Sequence, residues 1–186
     1  MYYKKLVQSG KTVFSMNDMR QMWGIKDADH LKVIVNRLYK RGDIRRIQKG
    51  VYTIAEEPNE WEIANKLKIP SYISLNTVLR ENNIIFQEQG KTVTCVSNNT
   101  LTKKVDDRVF KYYKIKDDIF FNNKGLIFGN NITFAELERA VCDQIYLFSG
   151  FYFDNLGGIK KKRLRELAGI YNKRVQKEVD ELIKDI

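Results

Sequence analysis

The chain has 186 residues, with 33 Lys and Arg against 23 Asp and Glu, a net charge of +10, and 43% hydrophobic residues. That length holds one large core or two small domains, and its single histidine, His30, excludes any metal site of several imidazoles and any His-containing triad not built on His30 itself. Cys95 and Cys142 each lie in an apolar run, as expected of a reduced, cytoplasmic protein, the start Met-Tyr-Tyr-Lys-Lys lacks a signal-peptide core, and no apolar run approaches the roughly 20 residues that span a bilayer.

The positive charge is uneven. Residues 1–58 hold 12 Lys and Arg against 6 Asp and Glu, and the other 128 residues hold 21 against 17. A basic excess confined to one segment is what phosphate binding needs, because each neutralised phosphate releases a condensed counterion; a merely soluble surface is the alternative. Neither a P-loop signature nor an HExxH helix is present, so we expect no enzyme, no catalytic residue, no metal and no cofactor.

In chain order, Tyr2 to Val7 predicts a short helix stopped by Ser9-Gly10, and Thr12-Val13-Phe14 a brief extended piece. Ser15 then caps a helix over Met16–Trp23, with Asp18 three residues on and Gly24 closing it. Asp27 opens a second cap. In the helix that follows, Leu31, Ile34, Val35 and Leu38 form the core face, and Asp29, Lys32, Val33, Asn36, Arg37 and Lys40 the opposite one, until Gly42. Ile44–Ile47 and Val51–Ile54 predict a hairpin turning at Gln48-Lys49-Gly50.

Three helices and then a cationic hairpin is the order of a winged helix-turn-helix. In that arrangement Asn36 and Arg37 suit base edges in the major groove, while Lys32, Lys40 and the hairpin's Arg45, Arg46 and Lys49 take the DNA backbone. His30 reads as a surface residue of the same helix. Winged helices also serve as protein-binding modules, and a charged hairpin is often a solvated edge.

Glu56 to Asn59 reads as a linker, which divides the chain into residues 1–57 and 58–186. Beyond it the expected elements are a helix over Trp61–Leu67, a helix capped by Ser74 and carrying Leu75, Val78 and Leu79, and strands at Thr92–Ser97, Arg108–Ile115, Ile119–Phe121 and Gly125–Phe128. A helix follows with Thr133 as cap, Glu136 three residues on, and Leu137, Val141, Ile145 and Phe148 on its buried side. Helices near Lys160–Ala168 and Arg174–Lys184 close the chain. The expected fold class is α+β: an N-terminal winged helix-turn-helix and a mixed α+β domain.

Three segments, IRRIQKGVYTI, YISLNTVLRENNII and ITFAELERAVCDQIYL, carry a resemblance in this order and spacing. Together they resemble the AbiEi-type antitoxin family, described as predicted transcriptional regulators of viral defence systems, over nearly the whole chain to about Leu147. The family often has Ser-Pro before the Glu-Arg-Ala pattern, where this chain has Glu136-Leu137 before Glu138-Arg139-Ala140. The resemblance implies an antitoxin of a type IV toxin-antitoxin pair, active in phage abortive infection. Its partners would be double-stranded operator DNA, where it represses its own operon, and a cognate nucleotidyltransferase-like toxin that it opposes without necessarily forming a stable complex; no membrane partner is implied.

Two further features of residues 58–186 have competing readings. Lys160, Lys161, Lys162 and Arg163 crowd cations into the first turn of a helix, where they are mildly unfavourable and where an anionic partner would relieve them; an exposed solvated turn is the alternative. Glu138 and Asp143, five residues apart on one helix, point away from each other and so suit structural use better than a shared metal.

Overall fold

The computed structural model describes residues 1–86, 90–129 and 131–186, and it is an α+β protein whose contacts divide it into two units, Met1–Leu67 and Lys68–Ile186. The first unit contains helix α1 (Tyr2–Gln8), strand β1 (Val13–Ser15), α2 (Met16–Trp23), α3 (Ala28–Lys40), β2 (Arg45–Gln48), β3 (Val51–Thr53) and α4 (Glu60–Leu67). Helix α2 has the bounds its caps predict. Asp18 N–H donates to Ser15 Oγ at 3.1 Å, Ser15 N–H donates back to Asp18 Oδ2 at 2.7 Å, and Gly24 takes the left-handed φ of +68° that ends the helix.

Leu6, Phe14, Met19, Trp23, Leu31, Ile34, Val35, Leu38 and Ile44 form the core of this unit. The Trp23 indole N–H donates to the Tyr2 carbonyl at 3.2 Å, which fixes α1 against α2. The three strands pair antiparallel in the order β1-β3-β2.

Helix α4 belongs to this unit, so the division falls ten residues after the Glu57/Pro58 boundary expected from the sequence. The reason is polar. Buried Glu62 Oε2 accepts from Thr12 N–H, Thr12 Oγ1 and Val13 N–H, each at 2.8 Å, and Lys66 Nζ reaches Asp18 Oδ1 at 2.9 Å. A buried carboxylate with three donors is too costly to pull out as part of a linker.

Burial opposes ionisation of Asp18, but the Ser15 hydroxyl, the Ser15 N–H and the Lys66 ammonium outweigh it and hold its pKa below the ordinary value. Such a group stabilises the fold above its unfolded-state pKa of about 4, and the contribution disappears as pH falls through the lower folded-state value. Thermal melts from about pH 6 down to about pH 2 are expected to show a steeper loss for the wild type than for Asp18→Asn. Parallel curves would show that the cap and the Lys66 bridge add no pH-linked stability.

The second unit is a six-stranded mixed sheet in the order β6-β7-β5-β4-β9-β8. Its strands are β4 (Ser71–Ile73), β5 (Thr92–Ser97), β6 (Leu101–Val105), β7 (Arg108–Lys114), β8 (Leu126–Gly129) and β9 (Ile132–Ala135), and its helices are α5 (Asn76–Glu81), α6 (Asp117–Phe120), α7 (Leu137–Leu147), α8 (Lys161–Ala168) and α9 (Lys173–Asp185). Strands β5 and β7 run parallel, as do β4 and β9, and the other neighbours are antiparallel.

Three expectations are corrected here. Ile119–Phe121 is not a strand, because Ile119 and Phe120 lie in α6 with Phe121 as its C-cap. Thr133 is not a helix cap: it pairs with Phe128 inside β9, and Glu136 begins α7 instead. Ser74 does not cap α5 either, since its hydroxyl donates to Asp143 Oδ2 at 2.7 Å.

Helix α7 runs through the interior, with every residue from Glu138 to Ile145 buried, including Arg139 and Asp143. Of its predicted apolar face, Val141 and Ile145 are buried, Leu137 is half-buried and Phe148 is exposed. Asp143 accepts from Tyr171 Oη at 2.6 Å, Ser74 Oγ at 2.7 Å and Tyr72 Oη at 3.1 Å. Arg139 Nε stands 3.5 Å from Asp143 Oδ1, and the guanidinium lies between the rings of Tyr72 and Tyr171. Its other nitrogens donate to the carbonyls of Ile119, Asn122 and Lys124, which pins the α6 turn to the centre of the unit.

Burial pushes the Asp143 carboxyl above its ordinary pKa, against the Arg139 charge and the three hydroxyl donors. Burial also works against the Arg139 charge, and Asp143 beside it more than compensates, so Arg139 stays a cation. Gly125 makes room for this pair. At φ +76°, a Cβ there would lie 3.0 Å from both Arg139 Cβ and Leu167 Cδ1.

Candidate nucleic-acid interface

The candidate site is built on α3. Asp27 caps it, accepting from His30 N–H at 2.6 Å, and buried Leu31, Ile34, Val35 and Leu38 anchor one face in the core. That anchoring turns Lys32, Val33, Asn36, Arg37, Tyr39 and Lys40 outward, and all six are exposed. His30 is exposed as well.

Lys32 Nζ meets Asp29 Oδ1 at 2.9 Å, and the Asp29 hydrogen bond raises its pKa, so Lys32 is an ammonium. Both groups stand in solvent, where such a pair is heavily screened and a phosphate can replace the carboxylate.

Strands β2 and β3 form the hairpin. The two turn residues are Lys49 and Gly50, between paired Gln48 and Val51, and Gly50 adopts the positive φ, +83°, that such a turn requires. A bulge between Arg46 and Gln48 leaves Ile47 unpaired. Arg45 and Arg46 therefore have different fates. Arg45 Nη2 donates to the Ala55 carbonyl at 2.8 Å and to the Glu56 carbonyl, tying the strand to the segment after β3. Arg46, opposite Tyr52, is exposed, and no carboxylate pairs with it among the described residues.

A groove of about 390 Å³ lies between α3 and the hairpin, lined by Met16, Lys32, Val33, Asn36, Tyr39, Arg46 and Tyr52 among others. It brings together three of the sequence-predicted residues, Lys32, Asn36 and Arg46. Arg37, Lys40, Arg45 and Lys49 are exposed but do not line it. Tyr39 and Tyr52 are additions that sequence reasoning missed. The signal for Tyr39 was available, since Lys32, Asn36 and Tyr39 follow the i, i+4, i+7 spacing of one helix face; that for Tyr52 was not, since it depends on its pairing with Arg46.

In the second unit, Arg163 at the start of α8 meets acids of the same unit. Arg163 Nε donates to Glu136 Oε1 at 2.6 Å and Nη1 to Glu166 Oε2 at 2.9 Å, while the Lys160 N–H donates to Glu138 Oε1 at 2.9 Å. Lys160, Lys161 and Lys162 are all exposed, the Lys160 contact being made by its backbone N–H alone. Among the described residues no group of His, Cys, Asp and Glu could hold a metal ion, and no helix is long and apolar enough to cross a membrane.

The class defined at this point is an α+β protein whose first unit presents a basic helix beside a basic hairpin. No protein-family model matches the chain, and no curated protein matches its sequence.

Proposed function

We propose that this chain is a DNA-binding antitoxin that represses its own operon, with the first unit acting as a winged helix-turn-helix and the second as the antitoxin domain. The observation that carries the DNA reading is the groove between α3 and the hairpin, whose lining combines Lys32, Arg46 and the Asn36 amide, all three exposed. An amide pairs with adenine and a guanidinium with guanine, so Asn36 and the adjacent exposed Arg37 are the base readers. Lys32, Lys40, Arg46 and Lys49 take phosphates, and Arg45 adds charge while holding the hairpin's base in place. The antitoxin role, and a nucleotidyltransferase-like toxin as its object, rest on the three sequence segments that resemble the AbiEi-type family. Catalysis forms no part of the proposal, since Asp143 is wholly buried among its partners.

The test is fluorescence anisotropy of the full chain on about 200 base pairs of DNA upstream of its gene and on a scrambled duplex, at two salt concentrations. Preference for the upstream DNA by about a thousandfold or more supports the repressor. Lys49→Ala should weaken binding alike on all sequences and lower the log-log salt slope by roughly 1, whereas Arg37→Ala should relax preference at one base position. Weak, equal binding to both duplexes would sink the reading.

A second reading is favoured by two apolar side chains on the same face. Val33 is 54% exposed and Tyr39 48% exposed, a pattern that suits docking on a protein surface. A complex with the toxin that survives high salt would select it.

A further inference from the structure

The second unit contains a groove that the reading above does not use. It has a volume of about 400 Å³, within the range of small-molecule sites. Its floor is one face of the sheet, where Thr92 and Thr94 of β5 and Lys111 and Tyr113 of β7 alternate onto the same side, with Thr94 paired to Lys111. Helices α5 and α7 supply Asn76 and Gln144, and Phe148 and Phe151 complete the wall.

Two features separate this groove from an ordinary gap in packing. Gln144 is 1% exposed, yet among the described residues its Oε1 has no hydrogen-bond partner, and the buried Oδ1 of Asn76 has none either. Leaving a buried polar atom unpaired is costly, and native interiors rarely tolerate it without an occupant. Asn76 and Gln144 both line the groove, so a ligand there that brings donors answers both acceptors. In addition, Leu75, next to Asn76, holds φ +59° and ψ −142°, a conformation nearly confined to glycine, and such strain collects at ligand sites.

The remaining wall states what else the ligand must be. Tyr113, Phe148 and Phe151 offer aromatic surface, with Phe148 set edge-on to Tyr113 at 5.3 Å between ring centroids. Lys111 is exposed at the mouth with no carboxylate partner among the described residues, and its ammonium suits an anion. A flat ring that stacks, N–H donors on its edge and an attached anionic group together describe a nucleotide.

We propose that this groove binds a purine nucleotide, with Gln144 Oε1 and Asn76 Oδ1 accepting from the base, the aromatic wall stacking on it and Lys111 neutralising its phosphate. Guanine carries both a ring N–H and an amino group and is the preferred base, whereas uracil offers one donor. The site lies wholly in the second unit, and its occupancy does not depend on whether the first unit binds DNA.

Calorimetric titration of the full chain with GMP, AMP, UMP, guanosine and inorganic phosphate tests this. Saturable one-to-one binding is expected for GMP, weaker binding for AMP and UMP, and none for phosphate alone. Loss of the charge-assisted contact should make guanosine about tenfold to a hundredfold weaker than GMP, and Lys111→Ala should erase that difference. Gln144→Leu should weaken GMP by about tenfold or more while the melting temperature holds or rises, because the unpaired carbonyl is gone. A short single-stranded RNA ending in a guanosine nucleotide separates the sources: tighter binding than GMP assigns the site to a strand end, and weaker binding to a free nucleotide. The proposal is overturned if no nucleotide gives saturable heat up to about 1 mM, or if both variants bind GMP as the wild type does.

Discussion

Arg46→Glu is expected to weaken binding to duplex DNA by about a hundredfold or more at physiological salt, on operator and scrambled sequence alike. Arg46 lines the groove with Lys32 and Asn36 and has no competing carboxylate among the described residues, so its charge is available for a phosphate. The reversal removes one charge-assisted contact and sets a carboxylate against the DNA backbone, so two unfavourable changes add. Folding stability should stay within about 0.5 kcal/mol of the wild type, as for other exposed substitutions free of structural bonds.

The neighbouring position supplies the control. Arg45 is bonded to the carbonyls of Ala55 and Glu56, so Arg45→Ala should cost about 1 kcal/mol of stability and have the smaller effect on DNA. Anisotropy and thermal melting on the two variants read both quantities. An Arg46→Glu protein with undiminished affinity would take the hairpin out of the interface, and the docking reading supported by Val33 and Tyr39 would replace it.

Arg139→Met should cost about 3–5 kcal/mol and abolish cooperative unfolding of the second unit near the wild-type denaturant midpoint. The substitution leaves the Asp143 carboxyl fully buried without its cation and removes the guanidinium from the carbonyls of Ile119, Asn122 and Lys124. Arg139→Met combined with Asp143→Leu should recover part of the loss, because the uncompensated charge is then gone. Recovery stays incomplete, since the Asn122 and Lys124 carbonyls lose the guanidinium, whereas that of Ile119 keeps the Asn122 N–H at 3.2 Å. Urea denaturation of the two variants measures this. If the single variant unfolded at the wild-type midpoint, the buried pair would not be what holds α6 to the centre of the unit.

The Arg139 result bears on the sequence as well. Glu138-Arg139-Ala140 lies in one of the three segments on which the proposed antitoxin role rests, and the cation in it is used for architecture. Asp143, four residues on, is the one partner that helical spacing offers; the others come from β4, α6, the loop after α6 and Tyr171, which nothing near Arg139 indicates.

What the sequence determined by itself are the features set within about one helical turn. Ser15, Asp18 and Gly24 fix both ends of α2, Asp27 starts α3, and the spacing of Leu31, Ile34, Val35 and Leu38 decides which of its side chains face out. The candidate DNA contacts were legible for that reason, because burying one face of a short helix determines the opposite face. Only the tertiary structure decided the rest. It chose helix over strand for Ile119 and Phe120, placed Thr133 in a strand, and turned Ser74 toward Asp143, 69 residues away. It separated Arg45 from Arg46 by hydrogen bonds that the sequence does not announce, and it left Gln144 Oε1 and Asn76 Oδ1 without partners among the described residues. The physical reason is common to these cases: capping and periodicity are local, whereas strand pairing and the burial of charge are settled by whichever distant groups satisfy the backbone and the carboxylates.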